Sequence, residues 1–262
     1  MNDKSLYAPP RDVKSLDECL FYHVTDLPGV GTVGEHWDLR ATIGAYLGDV
    51  DFRGQRVLDV GTASGFLTFE MERRGAEVVS FDVPDGRLMN HVPYAQAGFD
   101  EAKLLESMAW SSDRLKNSYW YAHRALGSKA RVHYGDIYAL PDGLGTFDVV
   151  VFGMVLPHLR DPFRALQSGA RLSRDRVVVV QQGLPHAEPI MQFMPDPATC
   201  ADPRDWWFMS EGCVERMLGV LGFALEKKSR AQQFCVARTR FEECTTFVAR
   251  RAEGLIRLGR DG

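Results

Sequence analysis

The stretch RVLDVGTASGFLTFEMERRGAEVVSFDV, residues 56–83, decides the fold. Its first five residues form a short β-branched run of the kind a parallel strand buries on both faces. Small residues follow at Gly61, Ala63 and Gly65, then a helical pattern from Phe66 to Arg74, a glycine at 75 and a second strand, EVVSFDV. That is one strand-turn-helix-strand unit. Outward from it, RVHY at 131–134, FDVVVF at 147–152 and a valine run over 175–181 read as further strands, with helices around 119–126 and 162–172. Such alternation predicts a doubly wound, mostly parallel sheet covered by helices.

The flanks are less regular. Residues 1–35 are polar and broken by Pro9, Pro10, Pro28, Gly29, Gly31 and Gly34, which predicts a surface arm. In EHWDLRATIGAYL, Trp37, Leu39, Ile43 and Leu47 fall near helical spacing and predict a lid helix over 35–47. The stretch between Asp82 and Tyr119 is too long for an ordinary connection and reads as an inserted, partly helical cap at about 84–118. Near the C-terminus a helix over 213–221 precedes FALEKKSR and CTTFVARR, which predict an antiparallel hairpin. The chain therefore divides into an N-terminal arm and lid helix, 1–50, and one α/β domain, 51–262.

Bulk properties exclude several classes. The chain has 262 residues, 45% of them hydrophobic, enough for one large core, and a formal charge of −4 that lacks the basic excess of a nucleic-acid binder. Its 5 cysteines are odd in number and contain no C-x-x-C pair, so neither a disulfide framework nor a zinc site is signalled. With no signal-peptide pattern and no membrane-length apolar run, the sequence reads as soluble, unprocessed and cytoplasmic.

The turn narrows the ligand. G-x-A-x-G is one residue shorter than the dinucleotide fingerprint G-x-G-x-x-G, which disfavours nicotinamide or flavin, and no Gly-Lys-Ser/Thr follows to make a P-loop. Small turn residues let backbone N–H groups approach a ligand at a helix N-terminus. Asp59, at the end of the first strand, has two roles open to it: facing an ammonium group or anchoring the turn. Asp82, ending the second, is placed to accept ribose hydroxyls. Together they suit a ligand with an amino-acid end and an adenosine end.

These residues resemble the first two motifs of class I S-adenosylmethionine-dependent methyltransferases. GDIYALP, with Asp136, is similar to the family's acid-plus-apolar adenine segment, and FDVVVFGMVLPHLRDPFRAL to its fourth strand and following helix. The resemblance implies a Rossmann-like methyltransferase with seven strands, a C-terminal antiparallel hairpin, an N-terminal arm and a cap insertion. It implies S-adenosyl-L-methionine as co-substrate, with Asp59, Gly61, Thr62, Ala63, Gly65, Asp82, Asp136, Ile137 and Gly153 along it. HWDLR, LPHLRDPFRAL and DPRDWWFMSEGCVERMLGVLGF resemble a narrower subgroup that includes tRNA wobble-uridine carboxymethyl-transferring enzymes.

Methyl transfer from a sulfonium is an in-line displacement, and an oxygen or nitrogen nucleophile must also lose a proton. His158, just after the fourth strand, and His186, after the fifth, are the candidate bases because strand C-termini edge the ligand crevice. His36 and Trp37 in the lid helix, with Trp206 and Trp207, are candidate acceptor contacts. No metal is expected, since the histidines lack the spacing of a metal site. The expected acceptor is a small organic hydroxyl or amine, such as a sugar or secondary metabolite. Nucleic acid and membrane are not expected partners, and a homodimer is compatible. A tRNA acceptor and a non-catalytic cofactor-binding scaffold are the alternative readings.

Overall fold

The computed structural model describes residues 6–253. A small hairpin, β1 (Thr25–Leu27) and β2 (Gly31–Val33), precedes a two-residue strand β3 (Trp37–Asp38) and a single helical turn α1 (Ile43–Tyr46). The central alternation follows: β4 (Arg56–Val60), α2 (Phe66–Arg73), β5 (Glu77–Asp82), α3 (Glu101–Leu126), β6 (Arg131–Tyr134), β7 (Phe147–Gly153), α4 (Pro162–Ala170) and β8 (Ser173–Gln181). Short strands β9 (Gly183–Leu184), β10 (Met191–Phe193) and β11 (Trp207–Ser210) lead to α5 (Glu211–Val220), then to the hairpin β12 (Phe223–Cys235) and β13 (Arg240–Arg251).

The main sheet has eight strands in the order β3-β12-β13-β8-β7-β4-β5-β6. From β8 to β6 every pairing is parallel, and β13 joins β8 antiparallel. The chain leaves β4 toward β5 and β6, then returns to β7 on the other side, so the strand order reverses between β4 and β7. Doubly wound sheets hold their ligands outside the strand C-termini at such a switch point. Alternate residues sort to opposite faces: Leu58, Val150 and Val177 pack with α4 and α5, while Val57, Val149 and Val178 pack with α2.

Four expectations need correction. The eighth strand is β3: Trp37 and Asp38 pair antiparallel with Cys235 and Phe234, so the predicted lid helix is an edge strand plus one turn. Trp37, Leu39, Ile43 and Leu47 are all buried, but the first two are separated by two residues, the spacing of a strand face. Segment 6–35 is no free arm. Ala8 donates its N–H to Val132 O at 2.9 Å, and Val13, Phe21 and Leu27 share a core with Tyr119 and Trp120.

Nor is 84–118 one inserted cap. From Glu101 onward it belongs to α3, a 26-residue helix capped by the Asp100 carboxylate and ended by Gly127 in a left-handed conformation. Only 84–100 lies outside it, and this stretch meets the 194–206 connection through Val92 N–H to Pro203 O, 2.7 Å, and Tyr94 OH to Ala201 O, 3.2 Å. The C-terminal hairpin is present but longer than expected, because the intervening QQFC and RFEE pair across it as well.

Candidate active site

The turn after β4 coils tightly. Gly61, Ala63 and Gly65 have φ of 82°, 50° and 90°, so three of five residues sit in the left-handed region. A Cβ on Gly61 would lie 3.0 Å from Val155, which brings the loops after β4 and β7 into contact at the switch point. Ala63 is the one residue of the three with a side chain, and its N–H donates to Asp82 Oδ2 at 2.8 Å. The Val83 N–H donates to Asp82 Oδ1 at 2.7 Å, and each carboxylate oxygen keeps further accepting capacity. No side chain caps α2, so its first-turn N–H groups face the turn.

Asp59 lies beneath the turn and is completely buried. Its Oδ2 accepts the Thr68 hydroxyl at 2.7 Å, Thr68 is 2.7 Å from the Ser80 hydroxyl, and Ser80 is 2.9 Å from Tyr119 OH. Asp59 Oδ1 has no hydrogen-bond partner among the described residues. Burial raises the Asp59 carboxyl to about 6 against the hydrogen bonds from Thr68 and Thr62, and the nearby Asp82 charge adds to the rise. Through Thr68 and Ser80 the carboxylate ties β4 to α2 and β5 beneath the turn. Thr62 turns its hydroxyl into the same network, 2.9 Å from Thr68, and borders the turn with its backbone.

At the end of β6, the Gly135 N–H donates to Asp82 O at 3.0 Å, setting Asp136 and Ile137 beside Asp82. The exposed Asp136 carboxylate accepts the Tyr138 N–H at 2.9 Å, and Ile137 packs against the core. Gly153 ends β7 where a Cβ would lie 2.3 Å from Leu67 of α2.

His158 and the remaining candidates separate clearly. His158 Nδ1 is 2.7 Å from Asp205 Oδ1, both side chains being 42% exposed. Burial pushes the Asp205 carboxyl up, but His158, Arg204 and Arg238 outweigh it, and the net shift is downward. Trp206 and Trp207 brace this loop: the Trp206 N–H donates to Pro157 O at 2.9 Å and the Trp207 indole to Arg160 O at 3.1 Å. His186 is exposed, its Nδ1 accepting the Glu188 N–H at 3.0 Å, and among the described residues no hydrogen bond joins it to His158.

His36 stacks on Tyr22 with ring centroids 4.9 Å apart, and Trp37 donates its indole N–H to Tyr22 OH at 3.2 Å. The Tyr22 N–H in turn donates to Ser64 Oγ at 3.2 Å, which ties this aromatic group to the turn. Tyr22 and Asp205 carried no sequence signal, because 42 residues separate Tyr22 from Ser64 and 47 separate Asp205 from His158. Among the described residues no group of three or more His, Cys, Asp or Glu side chains is placed to hold a metal ion.

A methyltransferase-domain profile matches residues 38–228. The chain belongs to that methyltransferase family. The matched span holds Asp59, the turn, Asp82, Asp136, His158 and Asp205, and it leaves Tyr22, His36 and Trp37 outside. Solved structures agree on the Rossmann-like fold of the methyltransferase. Magnesium protoporphyrin IX methyltransferase from Synechocystis PCC 6803, with bound S-adenosylhomocysteine, is 16% identical, with 82% of each chain covered and a TM-score of 0.50. The 1,6-didemethyltoxoflavin-N1-methyltransferase of Burkholderia thailandensis is 17% identical, with 81% of this chain and 76% of that one covered and a TM-score of 0.50. An S-adenosylmethionine-dependent methyltransferase from Methanosarcina mazei is 16% identical over 82% and 99%, with a TM-score of 0.53. No curated protein sequence matches the methyltransferase.

Proposed function

We propose that the protein transfers the methyl group of S-adenosyl-L-methionine to a hydroxyl or amine of a small organic acceptor, with His158 as general base. The pairing of His158 Nδ1 with Asp205 at 2.7 Å is the observation that carries the base assignment. A carboxylate at Nδ1 fixes the tautomer with the proton on that nitrogen and leaves Nε2 to accept a proton. The acceptor O–H or N–H proton passes to Nε2 as the nucleophile takes the methyl group, and Asp205 stabilises the imidazolium that results.

The donor suits the turn on chemical grounds. The uncapped start of α2 offers N–H groups to the carboxylate of an amino-acid end. Asp82 can accept ribose hydroxyls while bound to Ala63 and Val83, and the exposed Asp136 can accept an adenine amino group. When bound, the sulfonium supplies an activated methyl group; the chain's own residues align the acceptor, and such alignment is worth up to about 7–11 kcal/mol in favourable systems.

The narrower likeness to tRNA-modifying enzymes gains no support from the C-terminal hairpin. Arginines of the C-terminal hairpin are matched to carboxylates: Arg230 to Glu211 at 2.6 Å, Arg238 and Arg240 to Glu242 at 2.9 and 3.0 Å, and Arg250 to Asp175 at 2.9 Å. A phosphate backbone is held by cations free to replace its counterions.

The test is turnover with labelled donor on a panel of phenols, sugars, amines and unmodified tRNA. His158→Ala should lose about 10²–10⁴-fold in methyl transfer to the responding small acceptor, the usual range for a positioned base, while binding S-adenosylhomocysteine normally. Full turnover by that variant, or transfer confined to tRNA, would remove the proposal.

A further inference from the structure

Lys116 is a cation in an unusual place. It lies on the inner side of α3, 6% exposed, with Nζ donating to Pro84 O at 2.6 Å and standing 4.9 Å from the Tyr134 ring centroid. Burying a lysine to this degree is costly unless its charge is answered. Around it, α3 and the loop after β5 are in backbone contact: a Cβ on Gly86 would lie 2.0 Å from Met108 O. The loop that follows Asp82 is therefore clamped to α3 at two points, Pro84 and Gly86.

The charges that act on Lys116 are Asp82 from β5, Asp85 from the loop, Asp113 from α3 and Arg11 from the N-terminal segment. Asp85 is already bound to Arg87 at 2.5 Å and Asp113 to Arg11 at 2.7 Å. Asp82, by contrast, is held by backbone N–H groups alone. Of the three carboxylates, Asp82 is the one left for the lysine to serve. Burial raises the Asp82 carboxyl and lowers the Lys116 ammonium, and each group's charge opposes the shift in the other.

We propose that Lys116 is a positioning residue for donor binding, clamping the loop after β5 to α3 and presenting its charge to the Asp82 carboxylate that accepts ribose hydroxyls. This rests on the reading of Asp82 as the ribose acid. Lys116 touches neither the reacting atoms nor the acceptor; it acts through Asp82. Burial of Asp82 is opposed by the Val83 and Ala63 N–H groups and by the Lys116 charge, with the Asp59 carboxyl facing it from β4, so removing the lysine charge shifts Asp82 toward its protonated form and weakens donor binding as pH falls.

The experiment is calorimetric titration of the full chain with S-adenosylhomocysteine from pH 8 to pH 5.5, for wild type, Lys116→Gln, Lys116→Met and Asp82→Asn. Glutamine keeps a donor for Pro84 O without the charge. Thermal unfolding of each variant confirms that it is folded. Lys116→Gln should bind more weakly than wild type by a margin that widens as pH falls from 8 to 5.5. Lys116→Met should add a pH-independent loss from the broken clamp. A Lys116→Gln protein that tracks wild type at every pH, while Asp82→Asn still weakens binding, would overturn the role of Lys116. Unchanged affinity in Asp82→Asn would instead overturn the reading of Asp82, and the proposal with it.

Discussion

Replacing Asp59 by asparagine should change how stability depends on pH. The Asp59 carboxyl is completely buried and raised from its ordinary 3.8 to about 6, first by burial, against the hydrogen bonds of Thr68 and Thr62. A carboxyl whose folded value lies above its unfolded value favours folding fully below about pH 4, and that contribution is lost as pH rises through the folded value. The whole span corresponds to about 3 kcal/mol at 1.36 kcal/mol per pKa unit. Between pH 4.5 and pH 8 about 2 kcal/mol of it is lost. The asparagine side chain of Asp59→Asn carries no charge and can still accept the Thr68 hydroxyl, so its own packing cost is the same at every pH. Urea unfolding of both proteins across that range should show the difference moving toward the variant by about 2 kcal/mol as pH rises. Curves that stay parallel within about 0.5 kcal/mol would refute the reasoning, because they would mean that Asp59 is ionised at its ordinary pH or is not buried.

Ala63→Gly should raise the melting temperature. A left-handed φ costs an L-residue about 1–2 kcal/mol, and the glycine's extra unfolded-state freedom offsets about 0.5–1 of it, leaving a gain of a few degrees at most; a fall in melting temperature would contradict the strain at Ala63. Asp205→Asn should reduce turnover more than it changes acceptor KM, since His158 loses the carboxylate that orients it. Turnover equal to wild type would show that Asp205 does not act on His158.

The parallel core was legible because both periodicity and turn chemistry were local. RVHY matched β6, and FDVVVF matched β7 within one residue. Reading failed where tertiary pairing overrode local pattern. Trp37, Leu39, Ile43 and Leu47 fall near helical spacing as a set, while Trp37 and Leu39 alone have the spacing of a strand face, and pairing of Trp37 with Cys235, 198 residues on, decided for the strand. In α3, polar residues such as Ser112 and Lys116 lie on the buried side, which masks a helix whose first two-thirds read as an insertion. The turn and its acid were visible as a motif, and the side of the sheet they serve was not. Asp59 pairs with Ser80, two residues before Asp82 in β5, so Asp59 lies under the turn while Asp82 faces it. Asp205 and Tyr22 reach the crevice through connections whose path has no periodic signal at all.

The central claim is that the short turn after β4 and Asp82 hold the adenosine end of a methyl donor. Calorimetry with S-adenosylhomocysteine and NAD, on wild type and Asp82→Ala, tests it most directly. The account predicts that S-adenosylhomocysteine binds and NAD does not, and that Asp82→Ala loses about 1.5–3 kcal/mol of binding, the range for hydrogen bonds to a charged group. Binding of NAD without S-adenosylhomocysteine, or an Asp82→Ala protein of unchanged affinity, would contradict it.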